Sequence, residues 1–473
     1  MCEGGTLTNV LLIMADELST WGLGCYPSGR YPAGTALTPN IDALAARGTR
    51  FSAAYTPSPI CVPTRAAIAT GRYLHEVGYW SSAEAYDGRV PGWGHHLQAA
   101  GVPVTSIGKL HYRNQTDPTG FDRQIEPIHI PDGIGWVQGL LRQPLPSYDA
   151  TAEMSELIGP GETEYTRFDG RVTDEACRWL ADAPAQPWCT FVSYLSPHYP
   201  LIVPQEYFDR FDPKDFESPA EDVPNHPVLT EIAEFFDHDR YFDPKTRGIG
   251  RASYFALCAF LDDQVGWVLA ALESSGQAKD TLVIFTSDHG EMLGHKGFWA
   301  KSTMYDDAAK VPLIMTGPGV APDGVRTDPV SLIDLAPTIC ETVTPGRPAS
   351  SFSGRSLLAP AEPDRTVISE YHDGGCPVGI TMLRWGPYKY VHYAQGHPPQ
   401  LFDLSSDPDE TRDMSADAPG LLAEGRARLA AVFDPEDADR RAHADQAVLI
   451  EKHGGRDALL AMEQWNFTPA DSR

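Results

Sequence analysis

Four short apolar segments of this chain are each followed directly by polar residues. The segments span residues 9–15, 102–107, 188–195 and 281–286, and helical patterns separate them. Strands that alternate with helices predict an α/β fold with a large, mixed but mostly parallel sheet, covered by helices on both faces. In such sheets, ligands bind where the carboxyl ends of the strands meet. We therefore expect one site, built from the residues that follow the strands: Asp16 and Glu17, Lys109 and His111, His198, and Asp288 and His289.

A second feature is the segment 61–65, which reads Cys-Val-Pro-Thr-Arg and leads into an apolar helical run. Pro63 suits the first turn of a helix, so Cys61 lies at a predicted helix N-terminus. Free N–H groups and the helix dipole favour an anion there, and Arg65 adds a cation that can bind it in a bidentate way. The pattern alone is weak, since a buried thiol that caps a helix looks the same. Together with the polar clusters, it predicts a nucleophile that attacks an anionic, tetrahedral group.

Composition narrows the possible partners. The chain has 473 residues and a net charge of −27, from 64 acidic and 37 basic residues. Such an acidic chain is unsuited to nucleic acid or anionic membrane, so an anionic substrate needs a local pocket of cations. The eight cysteines show no CxxC spacing, which is typical of reduced thiols. We see no secretory signal and no apolar run of membrane-spanning length, and we expect a cytoplasmic protein.

The chain changes character near residue 365. Segments 367–371, 380–384, 388–393 and 400–404 alternate between apolar and polar residues and are joined by Gly and Pro turns. We predict a catalytic domain over 1–365 and a C-terminal subdomain over 366–473 with a small antiparallel sheet, a helix near 419–433 and a tail. Unstructured insertions are expected at 144–164 and 213–243. Because the tail carries Trp465 and Phe467, we expect residues 445–473 to contact a neighbouring subunit in a homodimer or homotetramer.

Asp16, Asp288 and His289 offer two carboxylates and an imidazole. Hard oxygen ligands with one imidazole suit Ca²⁺, Mg²⁺ or Mn²⁺, and such an ion polarises a bound oxygen. Taken singly, Asp16 also fits a strand-end turn and Asp288 a cap, but the Asp288-His289-Gly290 run directly after a strand favours ligands. Four further residues can supply positive charge and proton transfer, although each alone fits a turn or surface position: Lys109, His111, His198 and Lys301.

In this order, the motifs resemble those of the type I sulfatases of the alkaline phosphatase superfamily. The resemblance runs over residues 9–316 and extends weakly to about residue 404. It implies an alkaline-phosphatase-like fold and an enzyme that hydrolyses sulfuric esters. The matching segments are Met14-Ala15-Asp16, Thr38-Pro39-Asn40-Ile41-Asp42, Cys61-x-Pro63-x-Arg65 with Thr70-Gly71-Arg72, Gly108-Lys109-x-His111, Ser196-Pro197-His198, Ser287-Asp288-His289-Gly290 and Lys301.

The resemblance also implies a modified nucleophile. A formylglycine-generating enzyme or an equivalent would convert Cys61 to formylglycine, whose hydrate attacks sulfur. His111 would be the base that later expels sulfate, and His198 with Lys301 would act as acid at the leaving oxygen. Arg65 and Lys109 would hold the formylglycine and the sulfate group.

The same resemblance implies one divalent cation, Ca²⁺ before Mn²⁺ or Mg²⁺. Its ligands would be Asp16, modified Cys61, Asp288 and His289. The family often has a second aspartate where this chain has Glu17, so the resemblance supports four ligands better than five.

Within the family, the Gly108–His111 context, the run from Glu370-Tyr371 to Lys389 and the Trp465-Asn466-Phe467 tail resemble the choline-sulfatase branch. A quaternary ammonium substrate needs aromatic faces and a carboxylate, for which Glu370, Tyr371 and Trp136 are candidates. Two alternatives stay open. One is a phosphonate monoester or phosphodiester hydrolase with the same nucleophile and metal, and the other is a non-catalytic protein that binds a sulfated ligand.

Overall fold

The structure, a computed structural model, describes residues 8–148, 150–185, 187–347 and 351–462, together with Thr468 and Ala470. Its strands are β1 (Asn9–Asp16), β2 (Thr49–Phe51), β3 (Ala54–Tyr55), β4 (Val104–Lys109), β5 (Arg123–Ile128), β6 (Ile158–Pro160), β7 (Cys189–Pro197), β8 (Leu201–Val203), β9 (Thr281–Ser287), β10 (Leu313–Thr316), β11 (Gly324–Arg326), β12 (Val330–Ser331), β13 (Val367–Tyr371), β14 (Ile380–Trp385), β15 (Tyr388–Tyr393) and β16 (Gln400–Asp403). The α-helices are α1 (Pro39–Ala46), α2 (Cys61–Thr70), α3 (Leu74–Val77), α4 (Trp93–Ala99), α5 (Thr151–Glu156), α6 (Glu164–Ala181), α7 (Gln205–Phe208), α8 (Pro227–Phe236), α9 (Pro244–Ser274), α10 (Asp306–Ala309), α11 (Leu335–Val343), α12 (Pro419–Val432), α13 (Pro435–Lys452) and α14 (Arg456–Leu460).

The main sheet has eight strands in the order β11-β2-β10-β9-β1-β7-β4-β5. Strand β1 pairs in parallel with β7 and β9, and β4 pairs in parallel with β7 and β5. Strand β10 is antiparallel to β9 and β2. The sheet is therefore mixed and mostly parallel, as the sequence predicted.

Strand β1 explains why both faces of the sheet are covered. Successive side chains of a strand point to opposite faces. Leu11 and Ile13 pack into a core with residues of α1, α6 and α9. Val10 and Leu12 pack into a second core with residues of α2, α4 and α11. A strand that is buried on both faces has a continuous apolar sequence, which is the pattern of residues 9–15.

Helix α9 is the long helix of the first core. It spans 31 residues, and Asp243 caps its N-terminus through a hydrogen bond from the Thr246 N–H. By length and composition, this one helix of the described residues could cross a membrane, but 72% of its most apolar window is buried inside the protein. It therefore packs as a core helix.

Strands β13 to β16 form the predicted four-stranded antiparallel sheet, in sequential order. Ile368, Leu383 and Tyr390 share a core with Leu429 of α12 and Ala67 of α2. The sheet thus packs directly against the helix that begins at Cys61. The boundary that the sequence places between residues 365 and 366 falls just before β13 and stays a prediction.

Two expectations from the sequence were wrong. The insertions at 144–164 and 213–243 are not unstructured, since they contain α5, β6 and α8. Apolar side chains of α8, such as Val228 and Ile232, join a buried cluster with Met382 of the C-terminal sheet, which gives this polar-rich segment a surface on which to fold.

Candidate active site

The site lies where the carboxyl ends of β1, β4, β7 and β9 meet. The register aligns Asp16 of β1 with Pro197 of β7, and Ala15 with Ser287 of β9. This pairing brings Asp16, His198 and Asp288 to one edge of the sheet, although more than 270 residues separate the first from the last. The convergence that the sequence predicted therefore follows from the parallel register.

Helix α2 carries the nucleophile candidate. The helix is buried along its whole length, and Gly71 ends it in the left-handed conformation, with φ of 63°. Cys61 occupies its first position and is 6% exposed. Burial raises the pKa of the Cys61 thiol to about 11, and the charge of Lys109 offsets only part of that rise. The unmodified side chain is therefore a neutral thiol at neutral pH, and thiolate is the reactive form of cysteine.

Four buried residues form a cluster with metal-ligand chemistry. One ligand atom from each of Asp16, Cys61, Asp288 and His289 lies within 4.8 Å of the others. The Nδ1 atom of His289 lies 3.0 Å from the Gly290 carbonyl oxygen, so it carries the ring proton and leaves the lone pair of Nε2 free. Among the described residues, neither this Nε2 nor Oδ1 of Asp16 has a hydrogen-bond partner. Buried polar atoms rarely lack partners, so these residues fit a divalent cation.

Arg65 and Lys109 supply the positive charge beside this cluster. Nε of Arg65 donates to Oδ2 of Asp288 at 2.8 Å, and its NH1 donates to the Lys109 carbonyl at 2.8 Å and to Ser193 at 3.0 Å. Nζ of Lys109 contacts Oδ2 of Asp16. Burial opposes ionisation of Asp16, but Lys109, His198 and Arg65 outweigh it and hold its pKa well below the usual value. Arg65 and Lys109 thus place two basic side chains beside Cys61, as the binding of an anionic group requires.

His198, Lys301 and Glu17 form a second group of contacts. Nζ of Lys301 lies 2.7 Å from Nε2 of His198 and 2.8 Å from Oε2 of Glu17. Burial would lower the pKa of Lys301, but the charge of Glu17 outweighs it, so the amine is an ammonium. Burial also raises the pKa of Glu17 to about 8 against the opposing charge of Lys301, and a hydrogen bond with Glu291 adds to the rise. Oε2 of Glu17 nevertheless accepts a hydrogen bond from Lys301.

Asp169 of α6 holds the loop that carries His198. Its two carboxylate oxygens accept the backbone N–H groups of Leu195 and Ser196, each at 2.8 Å. The sequence analysis missed this residue, because an acidic residue within a helical pattern carries no signal of a contact across the fold.

His111 meets the C-terminal tail. Its Nε2 lies 2.6 Å from Oγ1 of Thr468, and the hydroxyl of Tyr165 donates to the Thr468 carbonyl at 2.8 Å. Burial, then the charges of Lys109 and Arg65, hold the pKa of His111 well below its usual value, so the ring is neutral and can accept a proton. The sequence predicted that residues 445–473 contact a neighbouring subunit. Thr468, within that segment, contacts residues of its own chain. The Trp465-Asn466-Phe467 segment lies outside the described residues.

A cavity of about 230 Å³ opens onto these groups. Cys61, Lys109, His111, His198 and Lys301 line it, so the structure brings together five of the six predicted catalytic residues at its surface, with Arg65 directly beneath. The remaining wall is largely apolar and aromatic. It includes Trp136, the aromatic candidate from the sequence, and also Met154, Tyr148, Phe236 and Met462.

Glu370 and Tyr371 do not line this cavity in the part of the chain that the structure describes. Oε1 of Glu370 lies 2.9 Å from Nδ1 of His75, and the hydroxyl of Tyr371 donates to the Gly374 carbonyl at 2.7 Å. Both residues are fully buried in β13. The expectation that they contact substrate is not supported, because α3 and the loop after β13 cover both side chains.

Comparison with known proteins decides the family. A protein-family model described as Sulfatase matches residues 8–344, which is more than half of the chain. The chain belongs to the sulfatase family. A second model, described as N-sulphoglucosamine sulphohydrolase, C-terminal, matches residues 294–420 of this sulfatase.

Individual relatives agree. The choline-sulfatase of Rhizobium meliloti (strain 1021) is 30% identical over 467 residues, covering 93% of this sulfatase and 89% of the relative. Arylsulfatase K of Bos taurus is 30% identical over 467 residues, covering 90% and 82%. The solved structure of the phosphonate monoester hydrolase of Agrobacterium radiobacter has a TM-score of 0.72 at 23% identity, covers 93% of this chain and 96% of its own, and shows the shared fold.

The predicted family, the alkaline-phosphatase-like fold class and the sulfatase activity are thus confirmed. The sulfatase is an enzyme that hydrolyses sulfuric esters. Sulfatases generally use a metal ion and a formylglycine, and the cluster around Asp16 has ligands suited to such an ion.

Proposed function

We propose that this sulfatase hydrolyses the sulfate monoester of a small organic or aryl alcohol, with a formylglycine derived from Cys61 and one divalent cation. The observation that carries the proposal is the position of Cys61 at the buried N-terminus of α2, within the ligand cluster and at the surface of the cavity. The cavity volume of about 230 Å³ suits one sulfate group with a small alcohol. The aromatic wall favours an apolar or cationic alcohol part, such as the aryl or choline groups in the names of the relatives.

Four residues are the candidates to hold the cation. Asp16, Asp288, His289 and modified Cys61 would hold the cation, Ca²⁺ before Mn²⁺ or Mg²⁺, because two carboxylates favour hard ions. When bound, the cation and the formylglycine hydrate supply charge neutralisation and an oxygen nucleophile.

The remaining residues bind the ester and move protons. Arg65 and Lys109 neutralise the sulfate oxygens in a region from which water is largely excluded, where electrostatic stabilisation is strong. The leaving alkoxide needs a proton, and Lys301 with His198 supplies it from the cavity wall. His111, held neutral by its surroundings, takes a proton when sulfate is released.

The test is mass spectrometry of the tryptic peptide spanning residues 51–65, combined with an assay of sulfate release. We expect the mass of an aldehyde in place of the thiol, and no sulfate release by Cys61→Ala. An unmodified thiol in a fully active enzyme would refute the formylglycine proposal. The same assay ranks sulfate esters against phosphonate monoesters and phosphodiesters. A higher kcat/KM for either phosphorus ester would favour the alternative hydrolase.

Maturation, assembly and location belong to the same proposal. A formylglycine-generating enzyme or an equivalent modifies Cys61. The described cysteines are free thiols, which supports a reducing, cytoplasmic setting. Val448 and Leu460, at the C-terminal end, are 68% and 44% exposed, which supports a homodimer or homotetramer through this region. Light scattering tests the assembly, since Val448→Glu should lower the mass in solution.

A further inference from the structure

Glu17 stands directly after the metal ligand Asp16, yet its side chain joins a different set of groups. One candidate metal cluster holds Asp16, Cys61, Asp288 and His289, and Glu17 falls in a second candidate cluster with Asp16 and His198. Its backbone has a φ of 65°, which is strained for a side chain larger than glycine. Strained positions of this kind persist at functional sites. The hydroxyl of Tyr254 donates to the Glu17 carbonyl at 2.8 Å and holds this turn in place.

The proton positions in this group follow from its partners. Nδ1 of His198 lies 2.5 Å from the Tyr199 carbonyl oxygen, which can only accept, so Nδ1 carries the ring proton. Nε2 of His198 therefore accepts a hydrogen bond from the Lys301 ammonium at 2.7 Å. Oε2 of Glu17 accepts a second at 2.8 Å. An ammonium has three donors, so one N–H of Lys301 remains for the cavity that this side chain lines.

The loop that carries Lys301 has strained residues on both sides of it. Ala300 and Ser302 have φ values of 59° and 78°. The N–H of Ala300 donates to Oε1 of Glu291 at 2.6 Å. Glu17 thus holds the ammonium of Lys301, and Glu291 holds the backbone next to it.

We propose that Glu17 is a positioning residue for the leaving-group end of the site. Oε2 of Glu17 and Nε2 of His198 each accept one N–H of the Lys301 ammonium. The third N–H therefore points at the ester oxygen that leaves. This inference rests on the proposed function, because it assigns Lys301 to that oxygen. The inference also means that Glu17 does not bind the cation, although an acidic residue directly after Asp16 could serve as a fifth ligand.

The decisive variant is Glu17→Met, which keeps the length of the side chain and removes the acceptor. Kinetics are measured on 4-nitrophenyl sulfate, whose alcohol leaves readily, and on an alkyl sulfate, whose alcohol needs a proton. We expect kcat/KM to fall about 10-fold to 100-fold more for the alkyl sulfate, as loss of acid catalysis does. Glu17→Gln keeps an acceptor oxygen and should recover part of this difference. Equal losses on both esters would overturn the inference.

A matched control comes from a second buried Lys–Glu pair outside the site. Oε1 of Glu410 lies 2.7 Å from Nζ of Lys389, and both side chains are buried. Glu410→Met should lower thermal stability and reduce the two rates by the same factor. If Glu410→Met discriminated between the esters as Glu17→Met does, the effect would be general destabilisation and the inference would fail.

Two further measurements use the same proteins. Metal content by mass spectrometry should stay at the wild-type level in Glu17→Met, and loss of the cation would instead make Glu17 a ligand. In a Lys301→Ala background, Glu17→Met should cause no further loss on the alkyl sulfate, and an additive loss would show that Glu17 does not act through Lys301. If the wild type releases no sulfate from either ester, the proposed function fails first. A wild type that is active on both, with uniform losses in Glu17→Met, refutes the inference about Glu17 alone.

Discussion

Replacing Glu370 by glutamine should destabilise the enzyme and leave its affinity for substrate unchanged. Burial alone would raise the pKa of Glu370, but the charge of His75, the hydrogen bond between these two side chains and the nearby His372 outweigh it and lower the pKa from 4.5 to about 2. A depression of this size corresponds to about 3 kcal/mol of stabilisation by the ionised carboxylate. Both oxygens lie in a buried region, so glutamine cannot recover this energy from water.

The effect should depend on pH in a defined way. Because the pKa of Glu370 is lowered, its stabilisation is complete above pH 4.5 and is lost as the pH falls toward 2. Burial would lower the pKa of His75, but Glu370 outweighs it and raises the pKa above 6.5, so its stabilisation is present below pH 6.5 and lost as the pH rises through the folded-state value. Glu76 supports this rise, and Arg441 opposes it. The difference between wild type and Glu370→Gln should therefore be largest between pH 4.5 and 6.5.

Thermal unfolding at pH 5.5 and KM on the same preparations measure the two parts of the prediction. The control is Glu436→Gln, since Glu436 also pairs with a histidine, His392 at 3.0 Å, but is 49% exposed. Exposed pairs contribute at most about 1 kcal/mol, so this variant should unfold close to the wild type. A Glu370→Gln enzyme with wild-type stability and a raised KM would refute the reasoning. It would instead indicate that Glu370 contacts the substrate.

Three other predictions follow from the site. Asp169→Ala leaves the buried N–H groups of Leu195 and Ser196 without acceptors, which should cost about 2–6 kcal/mol in a urea titration; an unchanged midpoint would contradict the role of Asp169. Thr468→Val removes the 2.6 Å hydrogen bond to His111 and should change kcat up to about 10-fold, with recovery in Thr468→Ser, whereas identical kinetics in all three proteins would exclude a role for this contact. Dialysis against EDTA should lower both activity and the unfolding temperature, because the ligand carboxylates lose their counter-charge, and the ion that restores both identifies the metal; chelation without effect on either would exclude a structural cation.

The sequence predicted the parts of the fold that depend on local patterns. The apolar run of β1 and the alternation in β13 to β16 each placed a strand within a residue or two of its observed ends. Parallel pairing then brings the residues after those strands together, so most of the site followed from the strand pattern. The N-terminus of α2 could also be predicted from the sequence, since Pro63 and the apolar run after Arg65 are local signals.

The remaining contacts depend on how distant segments pack. Alternation showed that Glu370 lies in a strand, but not that His75 of α3 covers it. The positions of Asp169 and Thr468 are fixed by partners 26 and 357 residues away, for which no local pattern exists. The sequence placed Glu17 in the site and marked it as a departure from the family. The direction of its side chain toward Lys301 follows from a left-handed backbone that an acidic residue rarely adopts.

The central position of β1 in the sheet determines when the fold around it can be completed during synthesis. Its two neighbours, β7 and β9, lie far downstream, so β1 and α2 leave the ribosome long before the strands that bury them. At about 5–20 residues per second, synthesis of the chain between Cys61 and the end of β9 takes on the order of 10–50 seconds. During that interval Cys61 lies on an incomplete fold, whereas in the finished protein it is 6% exposed. For the proposed conversion of Cys61, we therefore expect a maturation enzyme to act on the nascent chain, and we expect faster translation to leave a larger fraction of the sulfatase permanently unconverted.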